Sequence, residues 1–128
     1  MEIIANAVQT VAANQNVYFI NTVIDGNACI IHRDNSGLVS LRGLTNQCRA
    51  RYKVFFNGNV AIPEGGAVAP ISLALTIDGE AVPASTMIVT PAAVDNYFNI
   101  SSEIFVEVPK CCCSTIGVQN IGTAAVNV

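Results

Sequence analysis

From Tyr97 to Val108 the chain alternates with period two. Phe98, Ile100, Ile104, Val106 and Val108 fall on one side, with Ser102 the only polar member there; Tyr97, Asn99, Ser101, Glu103, Phe105 and Glu107 fall on the other. A helix would scatter both sets around its axis, whereas an extended strand sorts them into one buried and one wetter face. Upstream, Ile71, Leu73, Leu75 and Ile77 share a face, and Asp78-Gly79-Glu80 supplies a tight turn into a β-rich run from Ser85 to Thr90. Thr90-Pro91-Ala92-Ala93 has the make-up of one short helical turn, with Thr90 as N-cap and Pro91 in first position.

The rest of the chain is punctuated in the same way. Ile3 to Val11 and Asn16 to Ile24 read as strands joined by the polar AANQN. NVYFINTVI and ISLALTI are apolar on both faces, which predicts strands covered on two sides. Asp25-Gly26-Asn27 marks a turn, Cys29 to Arg33 a short strand, Asp34 to Gly37 another turn, and Leu38 to Arg42 the next strand. The loop GLTNQ at 43–47 leads into a strand from Arg49 to Phe56. Asn57-Gly58, between Phe55-Phe56 and Val60-Ala61-Ile62, is the strongest short-range hairpin signal present. After a loop at Pro63-Glu64-Gly65-Gly66, the final pair is Ser114 to Asn120 and Thr123 to Val128, turning at Gly122. About eight to ten short strands without an amphipathic helix of useful length predict an all-β chain: a two-sheet jelly-roll sandwich forming a single domain over 1–128. The last strand stops at Val128 with no polar tail, which predicts an end tucked into the core, an end paired with a neighbouring subunit or, equally, a chain cut short.

Composition narrows the function. With 128 residues the chain is long enough for a real core. Hydrophobic residues make up 52% and charged ones only 12%, so the surface is weakly charged and favours packing against other copies over repulsion. A net charge of −3 argues against nucleic acid as a partner. No apolar run is long enough to span a bilayer, so no membrane span is expected; MEIIANAVQTV lacks the basic start of a signal peptide, so either the protein is used without Sec export, which the initiating Met favours, or a leader has already been removed. Five of the six basic residues lie between positions 33 and 53. Among them Arg49, Arg51 and Lys53 alternate on one strand face, either as a charged guard against edge pairing or as a contact for an acidic partner surface.

Signals for chemistry are weak. The cysteines are Cys29, Cys48 and the run Cys111-Cys112-Cys113. Consecutive positions alternate sides on a strand and do not present three thiolates to one metal, so structural cysteines, as disulfides or buried thiols, are the expectation. Cys29 or Cys48 could reach the 111–113 run across the sheets, and the odd count leaves one thiol over, for a bond between subunits or as a buried apolar filler. His32 stands beside Arg33 and Asp34 without a nucleophile motif, and Asp25, Asp34, Asp78 and Asp95 each neighbour Gly or Asn, as turn carboxylates do. Gly65-Gly66 lacks the context of a phosphate loop, and the sequon Asn99-Ile100-Ser101 falls mid-strand. No cofactor and no enzymatic activity are expected.

The phrases NAVQTVAANQNVYF, HRDNSGLVSLRGLTNQCRARYKVFFNGNVAIPEGGAVAPISLALTIDGE, MIVTPAAVDNYFNI and VPKCCCSTIGVQN resemble small proteins encoded beside capsid genes in tailed phages of Firmicutes. The resemblance covers nearly the whole chain. It implies a jelly roll of the tumour-necrosis-factor or C1q type, trimeric, placed on the outside of a virion as a head decoration. Similar domains end the collagen-like filaments of spore surfaces, so a bacterial cell or spore surface is the neighbouring expectation. The implied partners are the chain itself, as a homotrimer, and the lattice of the major capsid protein; the family offers no catalytic residues. On that reading Arg49, Arg51 and Lys53, with the N-terminal strand, become the candidate capsid contact. Two further readings stay open. A carbohydrate-binding module would use Tyr97, Phe105 and Tyr52 as its few candidate exposed aromatics, and a surface filament subunit would be cross-linked through its cysteines.

Overall fold

The alternation that opens the sequence reading is a strand of twelve residues, β10 (Phe98–Pro109), in the computed structural model, which describes residues 1–5, 7–26, 29–43 and 48–128. Ile100, Val106 and Val108 are buried, Ile104 is half-buried, and Asn99, Ser101, Glu103, Phe105 and Glu107 face water. Phe98, expected on the buried side, is exposed at the strand's first position.

The partner of β10 is a second twelve-residue strand, β6 (Arg49–Val60), antiparallel and in register from Pro109↔Arg49 to Phe98↔Val60. The predicted hairpin at Asn57-Gly58 does not form. Asn57 opposes Ser101 and Gly58 opposes Ile100, inside the ladder. A full-length partner pairs every residue there, and that long-range ladder outweighs the local turn preference. Glycine has its own role at this place. A Cβ on Gly58 would lie 2.8 Å from the ring of Phe56, a core residue.

The two-stranded ribbon packs on a six-stranded sheet. Its path runs β4 (Ile30–His32), β5 (Val39–Arg42), β11 (Cys113–Asn120), β7 (Ile71–Ile77), β8 (Glu80–Ala81), with β9 (Met87–Val89) also paired to β7. Phe56, Val60 and Ile100 of the ribbon meet Leu73, Leu75 and Val118 of the sheet in one apolar cluster, and Val106 and Val108 meet Leu41 and Ile116 in a second. These layers make an all-β, sandwich-like body whose sheets are not closed; a closed jelly roll goes beyond this arrangement.

Local sequence decides several connections. Asp78 (φ 52°) and Gly79 (φ 86°) form the expected tight turn between β7 and β8, and the Asp78 carboxylate also accepts from the Thr115 backbone N–H at 2.9 Å. β7 is buried on both faces, as its doubly apolar pattern predicts, with Leu73, Ala74, Leu75 and Thr76 all inaccessible. The strand predicted over Ser85 to Thr90 begins only at Met87, because Pro83–Ser85 forms a 3-10 turn locked by Ser85 Oγ, which accepts from Leu75 N–H at 2.9 Å and donates to Val82 O at 2.7 Å. The helical turn proposed at Thr90–Ala93 is absent; bends occupy 92–93 and lead to a turn at 94–95.

Both chain ends are more broken than predicted. Instead of strands over Ile3–Val11 and Asn16–Ile24 there are β1 (Glu2–Ile4), β2 (Thr10–Val11) and β3 (Asn21–Ile24), with β1 paired to β3 and β2 to β12 (Val126–Asn127). In NVYFINTVI Val17 is buried, but Tyr18, Val23 and Ile24 are more than half exposed, so the outer face is not covered as expected. Val128 packs against the main core cluster. Asn27 of the predicted turn and 44–47 of the predicted loop lie outside the described residues.

Candidate functional site: the outer face of the ribbon

Alternation along β6 and β10 sends one set of side chains inward and builds a continuous outer face from the other. In ladder order that face reads Arg51 opposite Glu107, Lys53 opposite Phe105, Phe55 opposite Glu103, Asn57 opposite Ser101 and Asn59 opposite Asn99, with Arg49 at one end. All of these residues are exposed.

The predicted basic strip is present and on one face, but it is not free charge. Arg49 Nη1 donates to Glu107 Oε2 at 2.6 Å and Arg51 Nη2 to Glu107 Oε1 at 2.8 Å, while Lys53 Nζ lies 3.4 Å from Glu103 Oε2. Three cations against Glu103 and Glu107 leave a single net positive charge. Hydrogen bonds from Arg49 and then Arg51, more than their bare charges, hold the Glu107 carboxyl below its ordinary range. The acidic partners were readable as the wet face of β10, but nothing local to either strand announces their pairing across it.

At the middle of the face stand Phe55, 63% exposed, and Phe105, 66% exposed. Phe105 was a sequence candidate; Phe55 was missed. Its signal was the same alternation that marks Arg49, Arg51 and Lys53, of which Phe55 is the next member within the predicted strand. Beyond the aromatics, Asn99 Nδ2 donates to Asn57 Oδ1 at 2.6 Å and to Asn59 Oδ1 at 3.2 Å, a cross-strand amide ladder. Tyr97 is exposed nearby. Tyr52, the third aromatic candidate, points the other way. It packs against the Val106–Leu41 cluster and its Oη donates to Arg42 O at 2.6 Å; burial, then the adjacent Cys29, raises its phenol above 10.0.

The cysteines gather at one end of the molecule. Backbone bonds join Arg42 to Cys29, Gly43 to Cys112 and Cys111, and Lys110 to Cys48, while Cys113 opposes Arg42 in the ladder. All five are thiols; Cys29 is half-buried and the others are exposed. Contrary to the expectation of a strand through the triple run, Lys110 and Cys111 (φ 66°) form the turn between β10 and β11, Cys112 closes it by donating its N–H to Pro109 O at 3.0 Å, and only Cys113 is in a strand. Among the described residues no group of three or more His, Cys, Asp or Glu is arranged to hold a metal.

His32 is a structural residue. Its Nε2 donates to Ser36 O at 3.0 Å, Nδ1 lies 2.9 Å from Thr22 Oγ1, and its ring meets Phe19 edge-on at 6.4 Å. Asp34 binds Thr22 N–H and Oγ1, both at 3.2 Å. Among the described residues no helix is long and apolar enough to cross a membrane.

No protein-family model matches this chain, and no curated protein is significantly similar to it.

Proposed function

We propose that this protein is a non-enzymatic structural subunit that decorates the outside of a tailed-phage capsid as a homotrimer, docking through the outer face of the β6–β10 ribbon. The observation that carries the reading is the pair Phe55 and Phe105, two large aromatics exposed at diagonal positions of the ladder on a ribbon with nearly balanced charge. Such a face gains little from staying in water and loses little charge solvation on docking. A lattice adds many copies of a modest contact, so no deep pocket is required of the single chain. The resemblance to proteins encoded beside capsid genes supplies the lattice as partner.

The test is cosedimentation with shells assembled from the neighbouring capsid protein. Saturable binding that Phe55→Ser plus Phe105→Ser lowers by about tenfold or more is expected. No binding to shells, or binding indifferent to both phenylalanines, would refute the reading.

One observation favours a second reading. The amides of Asn57, Asn59 and Asn99 adjoin the exposed phenylalanines, the mixture of apolar ring and amide that suits a sugar face. Selective retention on a glycan array, lost in the same double variant, would move the assignment to a carbohydrate-binding module.

A further inference from the structure

On the face of the six-stranded sheet turned away from the ribbon lies an open cleft of about 480 Å³, lined throughout by described residues. Alternation builds it. Val17, Ile116 and Val118 are buried in the apolar clusters shared with the ribbon, and Val39 packs against one of them. Their chain neighbours Tyr18, Leu38 and Gln119 therefore project the other way and line the cleft. We propose that this cleft is a binding site for a neutral sugar ring, separate from the ribbon face.

Backbone bonds fix its frame. Val17 N–H donates to Val118 O at 2.8 Å, Asn120 N–H to Gln15 O at 2.9 Å and Asn14 N–H to Asn120 O at 2.8 Å, which lays 14–17 along the end of β11. Phe19 N–H donates to Ser36 O at 3.1 Å and Asn35 N–H to Phe19 O at 2.9 Å, joining the turn before β5 to the same segment. A Cβ on Gly37 would lie 2.7 Å from Val17 O, so only glycine lets these walls meet. The Gln9 side chain clamps the backbone of Tyr18, donating to its O at 2.7 Å and accepting from its N–H at 2.9 Å. Tyr18 itself stays 54% exposed. A site framed in this way is formed before its ligand arrives.

The cleft presents amides and a ring without charge. No lining residue is charged, and the adjacent Asp34 and Asp78 are committed to Thr22 and Thr115. The side-chain amides of Gln15, Asn16 and Asn35 make no hydrogen bond among the described residues. Gln119 Nε2 donates to Asn14 O at 3.2 Å, which leaves its Oε1 as an acceptor. Left-handed backbone at Asn14 (φ 64°) and Asn35 (φ 65°) accounts for asparagine at those two positions, but not for Gln15, Asn16 and Gln119. Each amide offers donors and an acceptor together, as a sugar hydroxyl requires, and the phenol of Tyr18 beside Leu38 suits the apolar face of a pyranose. A phosphate or carboxylate would need a cation that the cleft lacks, and a wholly apolar ligand would strand the amides. The volume falls within the usual range for small ligands, about 300–1,000 Å³. Cleft and ribbon face lie on opposite sides of the sandwich, so a copy docked through Phe55 and Phe105 would still present the cleft to solvent.

The test is NMR titration of the full isotope-labelled chain with the methyl glycosides of glucose, galactose, mannose and N-acetylglucosamine. At least one should shift the side-chain amide signals of Asn16, Asn35 and Gln119 saturably, with an affinity indifferent to salt. Tyr18→Ala, which keeps both backbone bonds to Gln9, should weaken that binding by about tenfold or more. Gln15→Ala with Asn16→Ala makes the same test from the polar side if the first variant misfolds. Phe55→Ser with Phe105→Ser should leave binding unchanged, which separates this cleft from a sugar site on the ribbon. The proposal fails if none of the glycosides shifts those amides, or if the shifts gather on the ribbon face instead. It also fails if neither Tyr18→Ala nor the double alanine variant weakens binding.

Discussion

Glu107 holds two arginines at once, and its chemistry shows how little charge the outer face has left. Because the folded state favours the ionised carboxylate, its contribution is complete above the 4.5 of an unperturbed glutamate and is lost as pH falls through its lowered value. Carboxyl titration by NMR should give a midpoint below 4.5, and Arg49→Ser with Arg51→Ser should bring it back towards 4.5. Asn120 works inside. It is fully buried, its Nδ2 donates to Val11 O at 3.1 Å and Ala124 O at 2.8 Å, and its Oδ1 accepts from Gly122 N–H at 3.0 Å. One amide thereby ties β11 to the N-terminal segment and to the loop before β12. Asn120→Ala should lower unfolding free energy by about 3 kcal/mol, read from the urea midpoint, because it orphans three backbone groups.

At the scale of elements, β6 is the instructive strand. Its first part, Arg49 to Phe56, was legible as a strand with Arg49, Arg51 and Lys53 on one face; the remainder was not, because Asn57-Gly58 carries a stronger local message than the pairing with β10 about forty residues away. Position 58 tests that competition. Gly58→Ala should favour the extended backbone, yet it places a Cβ 2.8 Å from a packed ring, and the clash should win by about 1 kcal/mol. A gain in stability by chemical denaturation would mean that the Phe56 ring yields freely. β10 and β7, by contrast, were readable almost to the residue, since each buries its pattern against a layer that the same pattern requires.

For the whole molecule, charge and thiols are distributed unequally. The proposed docking face carries one net positive charge once Glu103 and Glu107 are counted, so capsid binding should depend only shallowly on salt, and changing Arg49, Arg51 and Lys53 to Ser should shift affinity less than removing the phenylalanines. A steep salt slope abolished by the three serines would restore the basic strip as the main contact. The cysteine end is a separate surface. Mild oxidation should yield reductant-sensitive multimers on a denaturing gel, and replacing Cys111, Cys112 and Cys113 by Ser should remove most of them, since these thiols are exposed and adjacent.

Strand content, the faces of β7 and β10, the turn at Asp78-Gly79 and the weakly charged surface were all determined by the sequence, because each follows from side-chain period or from one residue's backbone preference. The length of β6, the neutralisation of its arginines, the exposure of Phe55 beside Phe105, the inward turn of Tyr52 and the gathering of the cysteines were decided only in the tertiary structure. Each depends on which distant strand lies opposite, and a ladder partner is a long-range choice that no local pattern encodes.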